Sequence, residues 1–125
     1  AAHLACGARL NAMGELLSIS DLVELPISAP ESQPGGGWTG AILHVDRFGN
    51  LITNFQVQPH QRGLQVGAGG RWIGQISRTF TDVDRGELLA YVGSSGYLEI
   101  AAREASAAEI LSLGVGDTVQ IEGAL

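Results

Sequence analysis

An acid, an aromatic ring and an amide fall within the five residues Asp46-Arg47-Phe48-Gly49-Asn50, and a glycine sits among them. A carboxylate such as Asp46 can hold an ammonium group. Phe48 offers a face on which a purine can stack, and Asn50 offers both a donor and an acceptor to a base edge. Gly49 lets the backbone approach whatever binds. A second run, Gly93-Ser94-Ser95-Gly96, places two hydroxyls between glycines. Ser94 or Ser95, with neighbouring backbone amides, can bind a carboxylate. An ammonium partner and a carboxylate partner together describe the zwitterion of an amino acid. Asp-x-x-Gly-Asn is also a turn with good turn chemistry in its own right, and that reading stands beside the first.

The flanking residues decide how these groups are held. Trp38 to Val45 reads as a strand, with Ala41, Leu43 and Val45 alternating with Ile42 and His44. Both faces are fairly apolar, so this strand is expected to be buried on both sides, as in a closed barrel or packed sandwich, with His44 a hydrogen-bonded core residue. Leu51 to Phe55 reads as the strand leaving the bend. Arg71 to Arg78 and Leu88 to Val92 follow, then Tyr97 to Ala101 with Leu98 and Ile100 on one face. Gly67-Ala68-Gly69-Gly70 reads as a turn and Asp82 to Gly86 as a polar, solvated break. Ser106 and Glu109 have capping-box spacing ahead of a short helix through Ile110, Leu111 and Leu113, which Gly114 is expected to stop. Thr118 to Glu122 reads as a last strand with Val119 and Ile121 inward. Both candidate loops lie at strand ends, so a closed β domain is expected to bring them to one rim.

Upstream of the strands, Ala1 to Met13 has helix-forming composition, weakened at Gly7 by about 1 kcal/mol relative to Ala. Asp21 to Leu25 is a short apolar stretch. Ser28 to Gly37, with Pro30, Pro34 and consecutive glycines, reads as a surface connector. The division is therefore residues 1–37, a helix and Pro/Gly-rich linker from an upstream domain, and 38–125, a β domain. The opening Ala1-Ala2-His3-Leu4-Ala5 lacks an initiator Met and reads as the middle of a helix, so the sequence is taken as a piece of a longer protein.

With 125 residues, 45% apolar and 16% charged, the chain is long enough to bury one core and too apolar to be disordered. The 18 glycines point to many tight turns and hence a β-rich domain. Seven Lys and Arg against a net charge of -6 leave no basic patch, so nucleic acid is not an expected partner. No apolar run approaches the roughly 20 residues that span a bilayer. Cys6, the one cysteine, cannot form an internal disulfide, which fits a reducing cytoplasm, and it is expected to be packed. His3, His44 and His60 show no metal-ligand spacing. Gly93-Ser94-Ser95-Gly96 lacks the spacing of a nucleophile elbow, and the glycine runs match neither a phosphate loop nor a dinucleotide fingerprint. Trp38 and Trp72 fit either a core or an interface role.

The run Asp46-Arg47-Phe48-Gly49-Asn50-Leu51-Ile52-Thr53-Asn54 resembles a signature of the S-adenosylmethionine (SAM) hydroxide adenosyltransferases, relatives of the fluorinases and chlorinases. Gly93-Ser94-Ser95-Gly96-Tyr97-Leu98-Glu99-Ile100-Ala101, followed by Ser106-Ala107-Ala108, is similar to their second signature. Ala1-Ala2-His3-Leu4-Ala5 and Asp21-Leu22-Val23 resemble the segment joining their two domains. The resemblance implies the C-terminal domain of that family: mainly β, a largely antiparallel barrel-like fold with a short helix at each end of the chain. It implies a homotrimer in which SAM, or its product adenosine, lies between the N-terminal domain of one subunit and the C-terminal domain of the next. Asp46 would hold the methionine ammonium and Ser94 the methionine carboxylate. Phe48 and Asn50 would contact the adenosine part, and backbone groups around Ala102 and Arg103 the adenine.

The implied reaction is attack of water on C5′ of the sulfonium, giving adenosine and L-methionine, with SAM as substrate and no cofactor. The groups that activate the water lie in the family's N-terminal domain, so no catalytic residue is expected here and the chain alone would be inactive. Halogenating relatives carry Trp where Ile52 stands and Arg where Ser95 stands, which places this chain nearer the hydroxide type. Many hydroxide-type members carry Asn in place of Arg103, so that side chain's role is not carried over. Two rivals remain: a non-enzymatic β-barrel interaction module, in which the Asp46 loop is only structural, and a SAM-dependent halogenase.

Overall fold

The computed structural model describes residues 1–24, 27–58, 61 and 63–123. Leu25 and His60 lie outside them. One antiparallel sheet carries the fold. Its strands are β1 (Glu31–Ser32), β2 (Trp38–Val45), β3 (Leu51–Gln56), β4 (Gln65–Ala68), β5 (Arg71–Gln75), β6 (Leu88–Val92), β7 (Tyr97–Ala102) and β8 (Thr118–Glu122). They run in the order β5-β4-β8-β2-β3-β7-β6, with β1 attached to β2. The sheet curls until its ends meet: Ile76 bridges Ala90, and the Ser77 amide donates to the Ala90 carbonyl at 2.7 Å. Ile42, Leu51, Phe55, Val66, Leu98, Ile100, Val119 and Ile121 fill the inside, each at most 1% exposed. The fold is the expected mainly-β, near-closed barrel with two short helices, α1 (Ala2–Ala5) and α2 (Ala107–Leu111). No helix among the described residues is long and apolar enough to cross a membrane.

Several local expectations are corrected. The helix over Ala1 to Met13 shrinks to α1 plus a 3-10 turn at Leu10–Ala12. Gly7 adopts φ +84°, and residues 1–24 are exposed except for half-buried Ala8. A helix this short with nothing packed on it has little to sustain it. Cys6 is exposed, not packed. Gly67 and Ala68 belong to β4, and only Gly69 (φ +59°) and Gly70 (φ +72°) turn, as a two-residue hairpin with both central φ positive requires. The Ser106 hydroxyl accepts the Glu109 amide at 3.2 Å, but the return bond of the capping box is not formed among the described residues. The helix ends one residue past Leu111, at Ser112 in the left-handed conformation, not at Gly114. Trp72 is 55% exposed, whereas Trp38 packs against the core.

Strand β2 is half-buried along most of its length, not sealed on both sides, and His44 is exposed. A bulge is the cause. Ile42 pairs with Thr53 and His44 with Ile52, so Leu43 is extra. The slip turns His44 outward and brings Val45 against the core.

Strand β3 carries a larger irregularity. Ile52 opposes Glu99 while Gln56 opposes Tyr97, which leaves Thr53 and Asn54 out of step with β7. Their side chains replace the missing ladder bonds. The buried Thr53 hydroxyl donates to the Leu98 carbonyl at 2.8 Å and accepts the Phe55 amide at 3.2 Å. Asn54, 6% exposed, accepts the Ala41 amide and donates to the Ser28 carbonyl. Gly40 leaves room for it, since a Cβ there would fall on Asn54 Oδ1 and the Phe55 ring.

Candidate functional site

Strands β2 and β3 are joined by a turn that Asp46 organises. The Gly49 amide donates to the Asp46 carbonyl and the Asp46 amide to the Asn50 carbonyl, both at 3.0 Å. Asp46 Oδ1 accepts the amides of Phe48 (2.8 Å) and Asn50 (2.9 Å), and Oδ2 accepts Asn50 Nδ2 (2.9 Å). Partial burial works to raise the Asp46 pKa, but these bonds from Asn50 and Phe48 outweigh it and hold the carboxyl below its ordinary value. Each carboxylate oxygen can accept two bonds, so Oδ2 retains one position for an incoming donor such as an ammonium. Gly49, at φ +81°, sits against α2: a Cβ would fall on Ser106 Oγ, and the Ala108 amide donates to the Gly49 carbonyl at 3.0 Å. The turn is thereby fixed to the start of α2.

Asp46, Phe48, Asn50 and Ala102 line one groove of about 630 Å³ together with Phe80, Tyr91, Glu104 and Ala105. Phe48 is 63% exposed, and the Arg47 guanidinium lies 4.7 Å from its ring centroid. Phe80 stands on a 3-10 turn, Phe80–Asp82, and its ring tilts against Tyr91 at 5.1 Å. Asp82 fixes that turn by accepting the amides of Arg78 and Thr79. Glu104 adopts φ +57°, a conformation rare for a side-chain-bearing residue, and pairs with Arg85 at 3.1 Å. The groove thus offers exposed aromatic faces, an amide and a carboxylate with spare capacity. That set suits a planar, polar-edged ligand with a cationic group.

Sequence reasoning missed Phe80, Tyr91, Glu104 and Ala105. The available signals were an aromatic ring inside the polar Thr79–Asp82 stretch and Tyr91 at an outward-facing strand position. Arg103 does not reach the groove: Nη1 donates to the Val83 carbonyl at 2.9 Å. Its amide donates to the Glu87 carbonyl and its carbonyl accepts the Gly86 amide, so its backbone is engaged as well. The Ala102 carbonyl accepts the Ala105 amide at 3.4 Å.

The two candidate loops do not share a rim. Leu51 opposes Ile100 and Gln56 opposes Tyr97, so the Asp46 turn and the Gly93–Gly96 turn lie at opposite ends of β7. Six residues of strand separate them, roughly 17 Å at about 3.4 Å per residue. The Gly93 amide donates to the Tyr97 carbonyl, and the Ser94 and Ser95 side chains are exposed. What connects the loops is the outer face of the sheet, where Ile52, Glu99 and Tyr91 stand side by side on β3, β7 and β6. The Tyr91 hydroxyl donates to Glu99 Oε2. Burial, then that carboxylate, push the Tyr91 pKa far up, so the hydroxyl keeps its proton.

A separate cleft of about 350 Å³ lies where residues 27–30 cross Trp38, Phe55 and Tyr97. The polar side chains there, Asn54 and Gln56, are bonded to Ser28 and Ala41 and to Tyr97. It holds none of the sequence's candidates.

Residues 40–120 match the SAM hydroxide adenosyltransferase C-terminal domain. A protein of Thermus thermophilus named (R)-S-adenosyl-L-methionine hydrolase is 39% identical over 97% of this chain and 44% of its own length. One of the same name from Salinispora tropica is 36% identical over 97% and 46%. A fluorinase of Actinoplanes sp. is 31% identical over 96% and 44%. Solved structures from Thermus thermophilus (TM-score 0.66, 37% identity) and Thermotoga maritima (TM-score 0.65, 32% identity) cover 96% and 98% of this chain. The match takes in 48% of each of those chains. The chain therefore spans just under half the length of the curated relatives it matches.

Proposed function

The chain belongs to the SAM hydroxide adenosyltransferase family, and we propose on that basis that it binds SAM in a protein that hydrolyses it to adenosine and L-methionine. The observation that carries this reading is the groove. Phe48, Phe80 and Tyr91 supply aromatic surface and Asn50 an amide for the adenosine part. Asp46 supplies an acceptor for the ammonium; Ser94 and Ser95, at the far end of β7, lie too far away to take the carboxylate borne by the same carbon.

In the reaction an oxygen–C5′ bond forms, and the C5′–S bond breaks with its electron pair going to sulfur. The proton of the water leaves to a base supplied from outside this chain. The leaving group is a neutral thioether, so the protein's task is alignment of the nucleophile and exclusion of bulk water. An open groove with an exposed Phe48 supports a site completed by another domain. We place that domain on a neighbouring subunit of a homotrimer, in the cytoplasm. The names of the Thermus and Salinispora relatives extend the proposal to the (R) configuration at sulfur.

The test is to incubate the full-length protein with each sulfur epimer of SAM, with and without halide, and to separate the products by chromatography. Adenosine plus methionine is expected. A halogenated adenosine would move the protein to the halogenase branch. No turnover and no SAM binding would leave the β-barrel interaction module as the better reading.

A further inference from the structure

We propose that residues 10–23 are a docking strip that seats the upstream half of the same full-length chain through an apolar contact outside the groove. Half of the residues from Leu10 to Val23 are Leu, Ile, Val or Met, and the charged ones are Glu15 and Asp21. All of those hydrophobics are at least half exposed, with Leu16 at 93% and Val23 at 92%. A linker that stays in water is poor in aliphatic side chains and rich in Gly, Ser or charge, so this composition is not a linker's. A run of large exposed hydrophobics marks an interaction surface.

The strip is shaped without help from the barrel. Two 3-10 turns, Leu10–Ala12 and Ile19–Asp21, give it local order. Asp21 Oδ2 accepts the Ser18 amide at 2.9 Å, and the Ser18 carbonyl accepts the Asp21 amide at 3.0 Å. The Asp21 charge is thus used within its own turn. Ile19 and Leu22 stand three residues apart across that turn, the spacing that puts side chains on one side. The Leu16 and Leu17 amides donate to no group among the described residues. Amides left open beside exposed aliphatic side chains suit a strip that completes its bonding against a second surface.

The relatives point to the occupant. The hydrolases of Thermus thermophilus and Salinispora tropica match 97% of this chain with only 44% and 46% of their own length, so they carry as much again beyond the match. The matched domain is the family's C-terminal one and spans residues 40–120, which puts that further length ahead of the strip. A body joined directly to the strip is present at an effective concentration of about millimolar, whereas a second copy must first associate. The barrel does not compete, because its sheet closes around its own core and leaves residues 1–24 exposed apart from half-buried Ala8.

The first test is hydrogen exchange on the wild-type full-length protein. If water covers the strip, the Leu16 and Leu17 amides exchange close to the unstructured rate. Under the upstream half, exchange across residues 10–23 is expected to slow by at least about tenfold. Exchange at the unstructured rate overturns the proposal. Ile19→benzoylphenylalanine, a photoreactive substitution, then identifies what covers the strip. Cross-links to residues upstream of the strip, at the mass of one chain on a denaturing gel, are expected. Cross-links at the mass of two chains would assign the strip to a second copy and overturn the proposal.

Ile19→Asp in the full-length protein separates the two cases by stability. At a position facing water it should move Tm by about 2 °C or less, whereas under the upstream half it should lower Tm by at least about 4 °C. An unchanged Tm overturns the proposal. None of these readouts involves SAM. A protected strip in a protein that does not bind SAM refutes the functional reading alone, and SAM turnover with a freely exchanging strip refutes the docking proposal alone.

Discussion

Asp46 is read both as the organiser of its turn and as an anchor for ligand, and two substitutions separate these roles. Asp46→Ala removes the acceptor of the Phe48 and Asn50 amides and of Asn50 Nδ2. Bonds to a charged acceptor contribute about 1.5–3 kcal/mol each when buried, and water can replace part of that in a half-exposed turn, so a total near 2 kcal/mol is expected. For a domain of this size that is roughly 6–10 °C in Tm. Asp46→Asn keeps an oxygen for the two backbone amides, and Asn50 can turn its own amide to meet the new one, so the cost should stay below about 1 kcal/mol. Binding should fall in both variants, because both lose the charge that meets an ammonium. Thermal melts and SAM titrations on the same samples make the comparison. A Tm for Asp46→Ala within about 1 °C of wild type would refute the turn argument. Full SAM affinity in a folded Asp46→Asn protein would refute the ligand argument. The pH dependence has a fixed sign. The folded pKa lies below the ordinary value of 3.8, so ionised Asp46 contributes its full stability above that value. The contribution is lost as pH falls through the folded pKa, and the gap in Tm between wild type and Asp46→Asn should narrow below pH of about 4.

Gly49→Ala must accept a left-handed backbone and push against Ser106, so a loss of about 2 kcal/mol is expected in urea unfolding. Asn54→Ala leaves the Ala41 amide and the Ser28 carbonyl without their partner at a buried position, and should cost about 2–4 kcal/mol in the same assay. Phe48→Ala should leave Tm within about 2 °C, since the ring is largely exposed, while adenosine affinity falls about five- to hundredfold if a base stacks there. Unaltered adenosine binding in that variant would remove Phe48 from the site.

Much of the architecture was legible because the relevant signals are local. The alternation of Leu98 and Ile100, and of Val119 and Ile121, did mark inward faces, and Ser106 did cap a helix. The grouping of Asp46, Phe48 and Asn50 followed from their closeness in sequence. What failed was register. The extra residue in β2 turned His44 to solvent, and no propensity marks such a bulge in advance. The placement of the two loops at opposite ends of β7 follows from strand pairing, which relates residues far apart in sequence. Phe80 and Tyr91 entered the groove by the same long-range route. Thr53 and Asn54, at the end of the first signature, gained an explanation only in the folded chain: they mend the break in β3.

The place of β8 in the sheet bears on how the molecule is made. Thr118–Glu122 is inserted between β2 and β4 and bonds to both. On the ribosome, β2 and β4 emerge early, yet each has an unfilled flank until residue 122 has been synthesised. Three ladders, β2–β8, β4–β8 and β3–β7, join distant parts of the sequence, so folding is expected to be slow, on the millisecond-to-second scale, and to follow translation rather than accompany it. During that interval the open edges of β2 and β4 are the segments most exposed to pairing with another chain, and so to chaperone capture or aggregation.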